Sequence, residues 1–246
     1  MGRWVVDYGL YYFDFILEVS LFMFMLWRGR WKRLRGIFLY IGALLGIDGL
    51  ARSCVLYHYG VQSREYAYVF YSTDFFLALV AFMLVCSFFR RACLHEAKLW
   101  IHLRLVLVAV FVLVAGITAI SLSRHYGLLS TWFVVEFEQN LYFTCLVLNT
   151  LLYLLMQQIA SPDEELELLV CGMGLQFAAP AAGWALVYLT PGTAYAPALQ
   201  KFIMPACTAG MLLTWFYAMA RLPKTAEELA EKGKLSLRAQ TATSKT

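Results

Sequence analysis

A chain of 246 residues that is 61% hydrophobic, only 15% charged and of mean hydropathy +0.65 carries too little charge for a soluble domain of its size. A net charge of +4 is too mild to mark a nucleic-acid binder, and six cysteines scattered along apolar runs do not make a disulfide framework. Apolar stretches of about 20 residues, the length that crosses a hydrocarbon core of roughly 30 Å, recur throughout. The expected fold is all-α, a polytopic bundle of seven transmembrane helices.

The first apolar run covers 9–27 and carries Asp14 and Glu18 one turn apart. Arg28-Gly29-Arg30-Trp31-Lys32-Arg33-Leu34-Arg35 follows it. Because these basic residues come after the run and not before it, the run reads as a retained helix and not as a cleaved signal peptide. The second run, 36–57, holds Gly42 and Gly46 in GxxxG spacing, a packing or dimerisation pattern, and then Asp48 and Arg52. The third, 66–89, includes Tyr71-Ser72-Thr73-Asp74 and leads into Arg90, Arg91 and Cys93, the last a candidate for acylation. The fourth, 99–121, is uniformly apolar.

The fifth run, 129–157, contains Glu136-Phe137-Glu138-Gln139-Asn140 and, three turns deeper, Asn149. An acidic loop, Ser161-Pro162-Asp163-Glu164-Glu165, precedes the sixth run, 166–189, which carries Gly172, Gly174, Pro180 and Trp184. Lys201, Pro205 and Gly210 lie in the seventh, 196–220. Residues 1–223 thus read as one membrane domain, and 224–246 as a polar cytoplasmic tail, partly disordered. Lys and Arg concentrate in the first loop, the third loop and the tail, which places those segments in the cytoplasm and the N-terminus outside; the expected setting is a bacterial inner membrane.

Reflecting each helix about its connecting loop brings Glu18, Asp48, Asp74, Glu138 and Lys201 to one depth, in the half nearer the outside. Ionisable groups in hydrocarbon are costly and normally face the bundle interior, so a layer of them is a candidate site. Three readings fit: an ion-pair network that fixes helix register, a ligand chamber open to the outside, or a path through the membrane. The apolar inner halves, Val80 to Val85 and Val106 to Val112, disfavour the path. In the chamber reading Glu18, Asp74, Glu138, Lys201 and Trp184 meet a cationic or zwitterionic ligand, while Asp48, Arg52 and Asp14 form the ion-pair network that orients them, with Arg52 the natural partner of Asp48 and also within reach of Asp74 across the hairpin.

No cofactor or metal is expected. His58 and His125 sit at outer loop edges, so a haem lacks buried ligands, and Cys93, His95, Glu96 and His102 make a weak metal pattern. Leu45-Gly46-Ile47-Asp48 is not the GxGD of intramembrane aspartyl proteases. Lys201 invites a retinal Schiff base, but Pro197 stands where retinal proteins carry an aspartate. With no nucleophile–base pair in the layer, the expectation is a non-enzymatic receptor-like or sensory protein read by a cytoplasmic partner. A proton- or ion-coupled secondary transporter and a structural subunit of a membrane complex are the alternatives.

The layout resembles a family of seven-helix bacterial integral membrane proteins of the acidobacterial type. The resemblance rests on the basic first loop, Tyr71-Ser72-Thr73-Asp74, the segment Glu136-Phe137-Glu138-Gln139-Asn140 and the glycine-rich sixth helix. It implies the seven-helix topology and brings no activity or site residue with it.

Overall fold

Only helices satisfy an apolar backbone in lipid without a closed barrel. The computed structural model describes residues 2–60, 63–93, 97–123, 131–159, 163–189 and 202–220, and no strand occurs among them. Helix α1 spans Gly2–Trp27, and a 3₁₀ turn, Arg30–Lys32, follows it. Helix α2, Arg35–Leu44, runs through a π-helical stretch, Leu45–Arg52, into α3, Ser53–Tyr59, as one rod. Then come α4, Arg64–Ala92; α5, Ala97–Ser123; α6, Thr131–Ile159; α7, Glu164–Leu189; and α8, Phe202–Ala220. The α2–α3 rod and α4 to α8 make six helices long and apolar enough to cross a membrane. The expected tail, 224–246, lies outside the described residues.

Local chemistry explains the ends. Gly29 and Gly60 adopt positive φ (65° and 76°) just past α1 and α3, the conformation that glycine enters without strain. Ser63, with β-region dihedrals, caps α4 by accepting the Tyr66 N–H at 3.0 Å. Asp163 does the same for α7, accepting the Leu166 N–H at 3.1 Å, and Glu164, Glu165 and Glu167 place negative charge in its first turn.

The core lies toward the basic end of the bundle. Leu21 and Met25 of α1, Ile41 of α2, Leu84 of α4, Leu152 of α6, Met173 of α7 and Trp215 of α8 are essentially inaccessible. Helix α5 packs on α4 and α6 by one side only. Its other side leaves Leu105 and Val112 more than half exposed, an apolar belt too continuous for water.

Interhelical bonding converges on the backbone of α7. The Trp215 indole N–H donates to the Leu169 carbonyl at 2.9 Å, and the Asn149 amide donates to the Val170 carbonyl at 3.0 Å. Gly172 makes room for the indole: a Cβ there would stand 2.8 Å from Trp215 Nε1. The GxxxG pair in α2 and the π-helical stretch packs less tightly than Gly172. Gly42 would make only ordinary contact with Phe22, and Gly46 faces open space. Cys93 is packed into the protein at 3% exposure, which removes it as an acylation candidate.

A candidate polar cavity

On the side of the core away from the basic loops, the rods enclose a cavity of about 280 Å³. Helix α1 supplies Asp14 and Glu18, one turn apart and both buried. Tyr40 and Leu44 come from α2, Arg52 from the π-helical stretch, and Phe70, Asp74 and Leu77 from α4. Glu138 and Tyr142 face it from α6, Gln176 and Pro180 from α7, and Pro205 and Thr208 from α8. Among the described residues, α5 contributes nothing to the lining.

Arg52 organises one wall. Its guanidinium pairs with Asp74, donates through Nε to Thr73 Oγ1 at 3.1 Å and through Nη2 to the Phe70 carbonyl at 3.4 Å. It also lies over the Phe70 ring, 4.2 Å from the centroid. Thr73 in turn donates back to the Val69 and Phe70 carbonyls, both at 2.8 Å, which locks its oxygen in place to receive Arg52. Across the cavity, Thr208 donates to Gln176 Oε1 at 3.0 Å and so joins α8 to α7.

The charges do not balance. Asp14, Glu18, Asp74 and Glu138 are four carboxyls around a single guanidinium among the described lining residues. Asp14 Oδ1 is buried without a hydrogen-bond partner there. An acid excess in a confined space is offset by water, by protons or by a bound cation, since unpaired buried charge costs several kcal/mol, on the order of the desolvation penalty.

Of the residues expected at the site, Glu18, Asp74 and Glu138 line this one cavity, together with Asp14 and Arg52. Lys201 and the side chains of Asp48 and Trp184 lie outside the described residues. The reach of Arg52 to Asp74 is seen: the guanidinium crosses to α4, where a carboxylate, a hydroxyl, a carbonyl and a ring face meet it together. Tyr40, Tyr142, Gln176 and Thr208 went unnoticed in the sequence. Tyr142 had a legible cue, one turn from Glu138; Thr208 had none, since its partner is on another helix. No group of three or more His, Cys, Asp or Glu side chains among the described residues is arranged to hold a metal ion.

No known protein family, curated protein or solved structure matches this chain. The cavity alone therefore carries the functional reading.

Proposed function

We propose that this protein is a seven-span receptor-like or sensory membrane protein, N-terminus outside and C-terminus cytoplasmic, that binds a small cationic or zwitterionic ligand in the polar cavity. The observation that supports it is the acid excess: among the described lining residues four carboxyls face one guanidinium in a space of about 280 Å³. At ~30 Å³ per water, that space is worth on the order of nine waters, so the ligand is a molecule of similar heavy-atom count. Glu18, Asp74 and Glu138 meet its positive group, and the Tyr40 and Tyr142 rings line the same space. Lys201, if it reaches the cavity, receives a carboxylate or serves as counter-ion when no ligand is bound. The apolar core between the cavity and the basic end supports access from one side only, which favours a receptor over a transporter.

The test is thermal unfolding of the detergent-purified protein against a panel of amines and amino acids, with Glu138→Gln alongside. A ligand that binds only the native state raises Tm by mass action. The expected result is a ligand-specific rise in the wild type that Glu138→Gln abolishes, with no substrate-dependent flux in liposomes. A flat response, with Glu138→Gln merely altering stability, overturns ligand binding and leaves the cavity as a packing network of a structural subunit.

A further inference from the structure

A second concavity, of about 530 Å³, opens at the basic end of the bundle, well apart from the acidic one. It lies where the 3₁₀ turn, the start of α2, the end of α4 and the residue before α7 come together. Lys32, Arg33, Arg35, Arg90 and Arg91 line it, against one lining carboxylate, Asp163.

Part of this charge is already committed. Arg91 holds Asp163 through two hydrogen bonds, 2.9 and 3.1 Å, and reaches Glu165 at 2.8 Å; Arg33 also pairs with Glu165. That pair of acids, Glu165 buried and Asp163 partly exposed, fixes the floor. The remainder is uncommitted: among the described residues neither Arg35 nor Arg90 has an ion-pair or hydrogen-bond partner, and Arg91 Nη1 is buried without one. Leu34 precedes α2 and has no side-chain oxygen to cap it, so the positive end of that helix also opens here. Ser87 adds a hydroxyl to the wall.

Loop arginines that only orient a protein in the membrane need no concave arrangement and no buried unpaired donor. Planar guanidinium groups converging on one hollow, with a helix start behind them, match the oxygens of a phosphate group. We infer that the hollow at the basic end is a binding site for a phosphate group, borne either by an anionic lipid headgroup or by a soluble phosphate. Trp27, 91% exposed, and Trp31, 39% exposed, flank the same loop; aromatic residues of this kind sit at headgroup depth, where either source is within reach.

The experiment is thermal unfolding of the full chain in a zwitterionic detergent with three probes at matched ionic strength: short-chain phosphatidylglycerol, short-chain phosphatidylcholine and inorganic phosphate. At roughly 100 times its Kd a bound probe raises Tm by about 5–10 °C. A rise with phosphatidylglycerol alone assigns the site to a lipid headgroup, and an equal rise with inorganic phosphate assigns it to a soluble phosphate. In either case Arg35→Gln/Arg90→Gln loses the rise and Arg35→Lys/Arg90→Lys keeps most of it. If the Gln pair does not fold, Arg90→Gln alone, at an exposed position, serves the same comparison. No rise with any probe, or an undiminished rise in the Gln variant, overturns the inference.

Discussion

Replacing Arg52 by Gln should cost much more stability than replacing its partner Asp74 by Asn, although both changes break the same ion pair. Removing one member of a fully buried pair costs about 3–5 kcal/mol when the other is left uncompensated, and Arg52 and Asp74 are partly buried, at 15% and 18% exposure. Arg52→Gln leaves Asp14, Glu18, Asp74 and Glu138 with no described cation and also ends the stacking on Phe70. Water admitted to the cavity moderates the penalty, so the lower end, about 3 kcal/mol, is the better figure. For a chain of this size that lowers Tm by about 6–12 °C. Asp74→Asn removes an acid from an excess of acids, and Arg52 keeps Thr73, the Phe70 carbonyl and the Phe70 ring. Its cost should stay within about 1 kcal/mol, or roughly 2–4 °C. In the Asp74→Asn background, Arg52→Gln should then cost less than it does alone, a coupling that a double-mutant cycle reads directly. Unfolding of the purified protein, followed by intrinsic fluorescence, supplies all three numbers. Equal losses from the two single changes, or a larger loss from Asp74→Asn, would refute the idea that acid excess governs this cavity.

Three further outcomes are expected. Gly172→Ala should destabilise by about 1–3 kcal/mol, since its Cβ meets the buried Trp215 ring, whereas Gly49→Ala meets Phe15, a ring 37% exposed and free to swing outward, and should cost less; the ranking of the two Tm values checks this. Glu165→Gln should lower Tm by several degrees, because Arg33 and Arg91 lose a carboxylate that is only 5% exposed, and the loss should resist added salt as a surface pair would not. In a background lacking the six cysteines, Tyr59→Cys should react with a membrane-impermeant maleimide added outside intact cells, and Trp27→Cys only after permeabilisation; the reverse pattern would invert the proposed orientation.

The helices were legible because span length and hydropathy are written locally. The apolar runs at 66–89 and 99–121 reappear inside α4 and α5 with a few residues added at each end. The gathering of Glu18, Asp74 and Glu138 was also legible, since antiparallel rods joined by short loops preserve depth under reflection. What could not be read is tertiary or subtle in the backbone. A π-helical stretch changes hydrogen-bond register without changing composition, so Leu45–Arg52 looked like ordinary helix, and only Gly49, whose Cβ would stand 2.6 Å from Phe15, hints at its crowding. The acidic loop was weighed for topology, to which acids contribute little. Its real partners, Arg33 and Arg91, are distant in sequence, and no local pattern connects Asp163 and Glu165 to them.

The backbone irregularities of the bundle bear on which reading of the polar layer is right. The π-helical stretch supplies Arg52 to the cavity, and Pro180 and Pro205 both line it. Pro180 has no N–H, so the carbonyl of Gln176, four residues earlier and also on the cavity wall, loses its helical partner. Non-helical hydrogen bonding at membrane depth is tolerated where it lines a wet or polar space, and is costly elsewhere. An ion-pair network that only fixes register needs charged side chains on regular helices and gains nothing from irregular backbone in two of its own walls, the π-helical stretch and α7 at Pro180. A ligand chamber gains twice: the Gln176 carbonyl adds an acceptor for a cation, and a proline-weakened α7 lets the wall respond when the cation arrives. The Thr208–Gln176 hydrogen bond ties the two proline-bearing helices together at the cavity, so under the proposed function α7 and α8 respond to the ligand as one unit. The far half of α8 packs through Trp215 onto α7 near the basic end, which under the proposed orientation is where a cytoplasmic partner would have to read the change.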